Sequence, residues 1–126
     1  MKKFKGVIIE ESLGNLAVLR CVKILSTRVS MVNEKHKTPW LKKWTLHTVE
    51  IEREEAENVA QKISEGFDGE HSWFADFNDG EQEYIIFPNK IFRINMRLQG
   101  EYVEAREYGV LIGIPEYQVD FKVGKR

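Results

Sequence analysis

Only one cysteine, Cys21, occurs in the 126 residues, so no disulfide can form within the chain. A single cysteine gives no sign of an oxidising compartment. No apolar run approaches the roughly 20 residues that a membrane helix needs. The basic start of the chain is followed by only three apolar residues, 7–9, before Glu10 and Glu11, which argues against a signal peptide. We therefore expect a soluble, cytoplasmic protein.

The chain also lacks a surplus of either charge, because 19 basic residues face 20 acidic ones. Proteins dedicated to nucleic acid usually carry a clear positive surplus, so a nucleic-acid partner is not expected from the whole-chain charge. The nine glycines form neither a Gly-x-Gly-x-x-Gly nor a Walker pattern, which excludes nucleotide binding of those types. No Gly-x-Ser-x-Gly motif occurs, and Cys21 lies in a segment rich in Val and Leu, where we expect a buried strand.

What is present is an ordinary globular composition, with 42% apolar and 31% charged residues. Pro, Gly and Ser never cluster into a linker, and the length suits one domain. We therefore predict a single domain over residues 1–126.

The first half of the chain predicts three strands and a helix. Alternation predicts strands over 4–10, 16 to about 32, and 44–51, with Gly14-Asn15 as a hairpin turn between the first two. Apolar residues at i, i+3, i+4, i+7 and i+11 predict a helix over 52–65. In the third strand the apolar residues change parity, which predicts either two covered faces or a bulge near His47 and Thr48.

The second half repeats this order, with strands predicted over 72–77, 83–87 and 91–95 and a helix over about 101–112. The tail over 117–123 alternates enough for a short edge strand. Hairpin turns favour an antiparallel sheet. We predict an α+β fold of order βββα-βββα, with an antiparallel sheet of five to seven strands and two helices packed on one face.

Four segments together resemble a family of small uncharacterised bacterial and archaeal proteins with no assigned function. The resemblance covers most of the chain and implies no activity and no functional residue. The segments are His36–Glu50, His71–Phe77, Tyr84–Arg93 and Gly113–Phe121.

The most unusual stretch runs from Lys35 to Trp44. If residues 40–44 are extended, Trp40, Lys42 and Trp44 share a face, and two indoles beside an ammonium form a surface that can stack on a planar ligand or on single-stranded nucleic acid. The alternative is that Trp44 is a core residue and the lysines are solvated, as is usual for these residue types. Trp40 is also a candidate for self-association, because tryptophan is enriched at interfaces.

The three histidines, His36, His47 and His71, lack the spacing of a metal site, so we predict no metal and no cofactor. His71 and Asp76 have opposite parity on one predicted strand and point to opposite faces. The acidic residues around Asn78-Asp79-Gly80 lack the remaining ligands of a calcium loop and are expected to form a solvated turn.

Two main hypotheses of function remain open. The first is a non-catalytic binding or protein-interaction module, including a homodimer formed through the Trp40 region. The second is a small enzyme whose site is assembled around His47, His71 and Asp76. A third, weaker hypothesis is a nucleic-acid accessory protein that uses Trp40 to Trp44.

Overall fold

The computed structural model describes residues 3–31, 43–69, 73–114 and 119. Six strands and two α-helices occur there in the predicted order βββα-βββα. Their bounds are β1 (Phe4–Ile9), β2 (Lys23–Met31), β3 (Lys43–Ile51), α1 (Ala56–Gly66), β4 (Ala75–Asn78), β5 (Gln82–Phe87), β6 (Lys90–Asn95) and α2 (Gln99–Leu111). The predicted tail strand over 117–123 falls outside this part of the chain, apart from Val119.

The strands form one sheet in the order β2-β3-β1-β4-β5-β6, and every neighbouring pair is antiparallel. This confirms the α+β class with an antiparallel sheet. The first strand lies between the third and the fourth. β1 therefore connects the β2–β3 hairpin to the β4–β5–β6 meander.

The two helices cover opposite faces of the sheet, so the prediction that both pack on one face is wrong. The reason lies in β5, where Glu83 to Phe87 are all buried. Neighbouring residues of a strand point to opposite faces, so a strand buried along its whole length needs cover on both sides. α1 packs with Ile86 in one core, and α2 packs with Ile85 in the other.

The predicted hairpin at Gly14-Asn15 is also wrong, because β1 pairs with β3 and β4 and not with β2. The amides of both residues donate to the carbonyl of Gly66 at the end of α1. The Asn15 side chain accepts from the amide of Ala17 and starts a 3₁₀ helix over Leu16–Arg20. The apolar residues after Gly14 therefore pack as a helical turn, and the strand begins only at Lys23.

The change of parity in β3 coincides with a bulge, but the extra residue lies in the partner strand. The register shifts between Ile24 and Ser26 of β2, which oppose Val49 and Thr48. Leu25 is the additional residue. β3 itself buries His47 and Val49 on the α1 side of the sheet.

The apolar pattern predicts six core residues: Val59, Ile63, Phe74, Ile86, Phe92 and Ile112. The prediction is confirmed for those in α1 and in β5. Val59, Ile63 and Ile86 are buried. The other predicted core residues are only partly buried and lie around the core under α2: Phe74, Phe92 and Ile112.

Candidate functional site

The most exposed element of the sheet is β2, where eight of the nine residues are exposed. Its apolar side chains include Val29, which is 55% exposed, and Met31, which is 72% exposed. β2 pairs only with β3 among the described strands, so its other edge carries no strand of this part of the chain. A long edge strand with apolar side chains is a template for a further strand.

The contacts of Thr45 indicate which NH and CO groups of β2 point to this open edge. Its amide donates to Glu11 Oε1 at 2.6 Å, on the side of β3 where β1 ends. Since the NH and CO of one strand residue point to the same side, Thr45 directs neither group towards β2. Its opposite residue, Val29, therefore turns its own NH and CO to the open edge. By alternation Thr27 and Met31 do the same.

The regular part of this edge is the segment Ser26–Met31, which we call the β2 edge. The bulge at Leu25 interrupts the ladder before it. Side chains of Thr27, Val29 and Met31 lie on the α1 side of the sheet, and Arg28 lies on the other side, because residues directly opposite in a ladder share a face. The edge thus presents apolar side chains on one face and a cation on the other.

The β2 edge is held to its neighbours by a hydrogen-bonded chain through His47. The Glu10 carboxylate lies 2.9 Å from His47 Nε2, and Thr27 Oγ1 lies 2.9 Å from His47 Nδ1. His47 is 7% exposed, whereas Thr27 is exposed. We call this chain the Glu10–His47–Thr27 relay.

The chemistry of the partners assigns the protons of the neutral relay. An ionised carboxylate only accepts, so His47 Nε2 carries the hydrogen and donates it to Glu10. Nδ1 then holds a lone pair and accepts from the hydroxyl of Thr27. The buried imidazole has both nitrogens satisfied, as buried polar groups require.

His47 and Asp76 do not share a site. His47 lies opposite Ile8 of β1 and faces the core under α1. Asp76 lies opposite Val7 of β1, one residue earlier, and therefore on the other face. His71, the third residue of the predicted enzyme site, lies outside the described residues.

Of the predicted stacking surface, only Trp44 can be located, since Trp40 and Lys42 lie outside the described residues. Trp44 is half-buried and packs against the core under α1. Its ring centroid lies 6.0 Å from that of Trp73 in an edge-to-face arrangement. This favours the interpretation of Trp44 as a core residue over a stacking surface.

The expectation that the acidic residues around the turn between β4 and β5 are solvated is wrong for Asp79 and Glu83, whereas Glu81 is exposed. Asp79 is buried, its Oδ1 accepts from the amides of Glu81 and Gln82, and its Oδ2 accepts from the Arg53 guanidinium. Burial alone would raise the pKa of Asp79, but these amides and the guanidinium outweigh it and hold the pKa below its ordinary value.

Glu83, the second acidic residue that is not solvated, is completely buried under α2. The hydroxyl of Tyr102 donates to its carboxylate at 2.9 Å. Glu83 is buried, and not solvated as expected, because it lies in the buried strand β5 and not in the turn. Asp79 and Glu83 thus both contribute to the structure of the β4–β5 hairpin.

Cys21 is exposed and ends a 3₁₀ helix, so its prediction as a buried strand residue is wrong. Lys62 Nζ lies 3.3 Å from its Sγ. Both residues line a cleft of about 280 Å³ between this helix and the end of α1. The cleft is completed by Asn15, Ala17, Val18, Glu65 and Gly66.

Among the described residues, no group of three His, Cys, Asp or Glu side chains is placed to hold a metal ion, and no helix is long and apolar enough to cross a membrane. Comparisons with protein-family models, curated proteins and solved structures find no match. The resemblance to small bacterial and archaeal proteins is not tested by them and stays a prediction.

Sequence reasoning identified His47 but missed Glu10 and Thr27, and it missed the β2 edge as a surface. The two partners lie 37 and 20 residues from His47 in the chain, and only the pairing of β3 with β1 and β2 brings them together. A signal for the edge did exist. Lys23 and Arg28 interrupt an otherwise apolar and hydroxyl-rich strand, and charges are typical of edge strands.

Proposed function

We propose that the protein is a non-catalytic interaction module that binds an extended segment of a partner protein as a further strand beside the β2 edge. The observation that carries the proposal is the exposure of β2 together with its open backbone edge. Addition of a strand to a sheet edge is a general mode of peptide recognition. Three residues with NH and CO turned outward offer about six hydrogen bonds to such a strand.

The chemistry of the edge defines the partner segment. Side chains opposite Val29 and Met31 would share their face and should be apolar. A side chain opposite Arg28 should be acidic, because β2 carries the cations Lys23 and Arg28 and no acidic residue. The expected ligand is therefore an extended segment that alternates apolar and acidic residues.

The direct test uses a fluorescein-labelled peptide of alternating valine and glutamate, with binding followed by fluorescence anisotropy. Val29→Pro should abolish binding, because proline removes an outward NH without removing a hydrogen bond to β3. Arg28→Glu should weaken binding about tenfold, as reversal of a charge pair does. Arg97→Glu is the matched control, since Arg97 is exposed beyond β6 at the opposite side of the sheet.

Each result has a definite meaning. Loss of binding in Val29→Pro and retention in Arg97→Glu support the proposal, provided that the melting temperatures stay equal. Binding that survives Val29→Pro, or an absence of binding to the wild type at millimolar peptide, contradicts it.

Self-association is the second form of the same proposal. The edge of a second copy is also an extended strand, and residues 32–42, which include Trp40, connect β2 directly to β3. A wild-type dimer in sedimentation that becomes a monomer in Val29→Pro would identify the second copy as the partner.

We place this interaction in the cytoplasm. Cys21 is free and exposed, and an exposed free thiol suits a reducing compartment. Mass spectrometry of protein from lysed cells should find Cys21 as a thiol; a disulfide-linked adduct at Cys21 would contradict this placement.

A further inference from the structure

The Glu10–His47–Thr27 relay has a property that peptide binding does not use. When the His47 imidazole is neutral, the hydroxyl of Thr27 donates to its Nδ1 lone pair, and the Glu10 carboxylate holds Nε2 on the other side of the ring. This is the order of groups that activates a hydroxyl nucleophile: a base in contact with the hydroxyl, and a third group that orients the base.

Accessibility favours reaction at Thr27 over His47. His47 is 7% exposed, so its ring is shielded from solvent. The side chain of Glu10 is 40% exposed. Thr27 is an exposed residue of the edge strand, and its Oγ1 takes part in a partly buried hydrogen bond. A shielded base beside a hydroxyl on an exposed strand can take the proton of that hydroxyl.

We propose that Thr27 is an acyl-accepting hydroxyl that reacts with small activated carboxylic esters, with His47 as the base and Glu10 as a positioning residue. This goes beyond the proposed peptide binding and does not depend on it. The reaction transfers one acyl group to the protein and requires neither a metal nor an oxidant.

The step balances as follows. Thr27 Oγ1 attacks the carbonyl carbon of the ester while its proton passes to His47 Nδ1, and the carbonyl electron pair moves to the carbonyl oxygen. That pair then returns, the bond between the acyl carbon and the leaving oxygen breaks, and the leaving oxygen takes the proton from Nδ1. The products are an ester on Thr27 and a free alcohol.

The test uses p-nitrophenyl acetate on the whole chain carrying Cys21→Ser, which removes the competing thiol. Absorbance follows p-nitrophenolate, and peptide mapping locates the acetyl group. Alkaline hydroxylamine separates an ester on Thr27 from amides on lysines, because only the ester is cleaved. Ser26, exposed on the same strand, is the internal control for simple accessibility.

We expect one acetyl ester at Thr27 and none at Ser26. Thr27→Val should abolish the ester, whereas Thr27→Ser, which keeps the hydroxyl, should still form it. His47→Gln should slow its formation about a hundredfold, within the range of general base catalysis. If His47→Gln fails to fold, Glu10→Gln replaces it, with about tenfold slower acetylation and an unchanged melting temperature. Equal acetylation of Ser26 and Thr27, or a rate at Thr27 that neither His47→Gln nor Glu10→Gln changes, overturns the proposal.

Discussion

Ile85 and Ile86 are consecutive residues of β5, both are completely buried, and they belong to different hydrophobic cores. Ile86 packs with the core under α1, and Ile85 packs with the core under α2. The two helices therefore pack on opposite faces of the same strand. The contribution of each core to the free energy of unfolding can be measured by truncating one of these two neighbouring side chains.

Ile85→Ala and Ile86→Ala should each lower the free energy of unfolding by about 2–5 kcal/mol, the usual cost of such a truncation in a core. They should differ in where they act. Hydrogen exchange should accelerate most in α2 for Ile85→Ala and most in α1 for Ile86→Ala. Ile63→Ala, within α1, should match Ile86→Ala in both respects. Identical exchange profiles for the two β5 variants would show that the two cores do not act separately.

Gly6→Ala should destabilise the protein by separating β1 from β4. A Cβ at this position would lie 2.7 Å from Phe77 Cβ and closer still to the carbonyl oxygen of Asp76. Such overpacking costs roughly 1–3 kcal/mol. Gly100→Ala is the matched control: it lies in the first turn of α2, with nothing but its chain neighbours and the backbone of its own helix within 4 Å of the added carbon, and it should be neutral or stabilising. Urea unfolding of both variants measures the difference, and equal midpoints would contradict the close approach of β1 and β4.

The stability of the protein should fall in acid partly because of Asp79. Its pKa in the folded state lies below the ordinary value, so the carboxylate stabilises the fold above that ordinary value and loses this contribution as the pH falls through the folded pKa. Between about pH 5 and pH 2, the wild type should therefore lose more stability than Asp79→Asn does. Glu57→Gln, on the exposed side of α1, should follow the wild type. Parallel acid curves for the wild type and Asp79→Asn would refute the prediction.

Trp40→Ala should reduce association more than stability. Trp40 lies outside the described residues, and the prediction rests on the sequence alone, because tryptophan is enriched at interface hot spots. The melting temperature and the solution mass of wild type and variant decide the matter. A large loss of melting temperature with an unchanged mass would leave Trp40 as a packing residue.

The number and order of strands and helices could be predicted from the sequence because they depend on local periodicity, but the start of β2 could not. The stripe Ala56, Val59, Ala60 and Ile63 defines α1 regardless of what it packs against. The side of the sheet on which each helix lies could have been predicted too, from the unbroken apolar run over 84–87. That run indicates a strand covered on both faces, and hairpin turns alone do not carry this information.

The candidate site could be predicted only in part, because its geometry depends on pairing between distant strands. Gly14-Asn15 resembles a hairpin turn in the sequence, yet the amides of both residues bind the end of α1. The predicted hairpin at this position wrongly places β1 beside β2. Only with β1 beside β3 do Glu10 and Thr27 reach His47 from its two sides.

The central position of β1 has a consequence for synthesis on the ribosome. Phe4 and Ile8 emerge first, but the strands that flank them, β3 and β4, end only at residues 51 and 78. At about 5–20 residues per second, the nascent β1 waits several seconds for its second neighbour while the β2–β3 hairpin is already complete. During that interval two large apolar side chains lack their final cover. Slow codons between β1 and β4 should therefore prolong the exposure of β1 and lower the yield of folded protein.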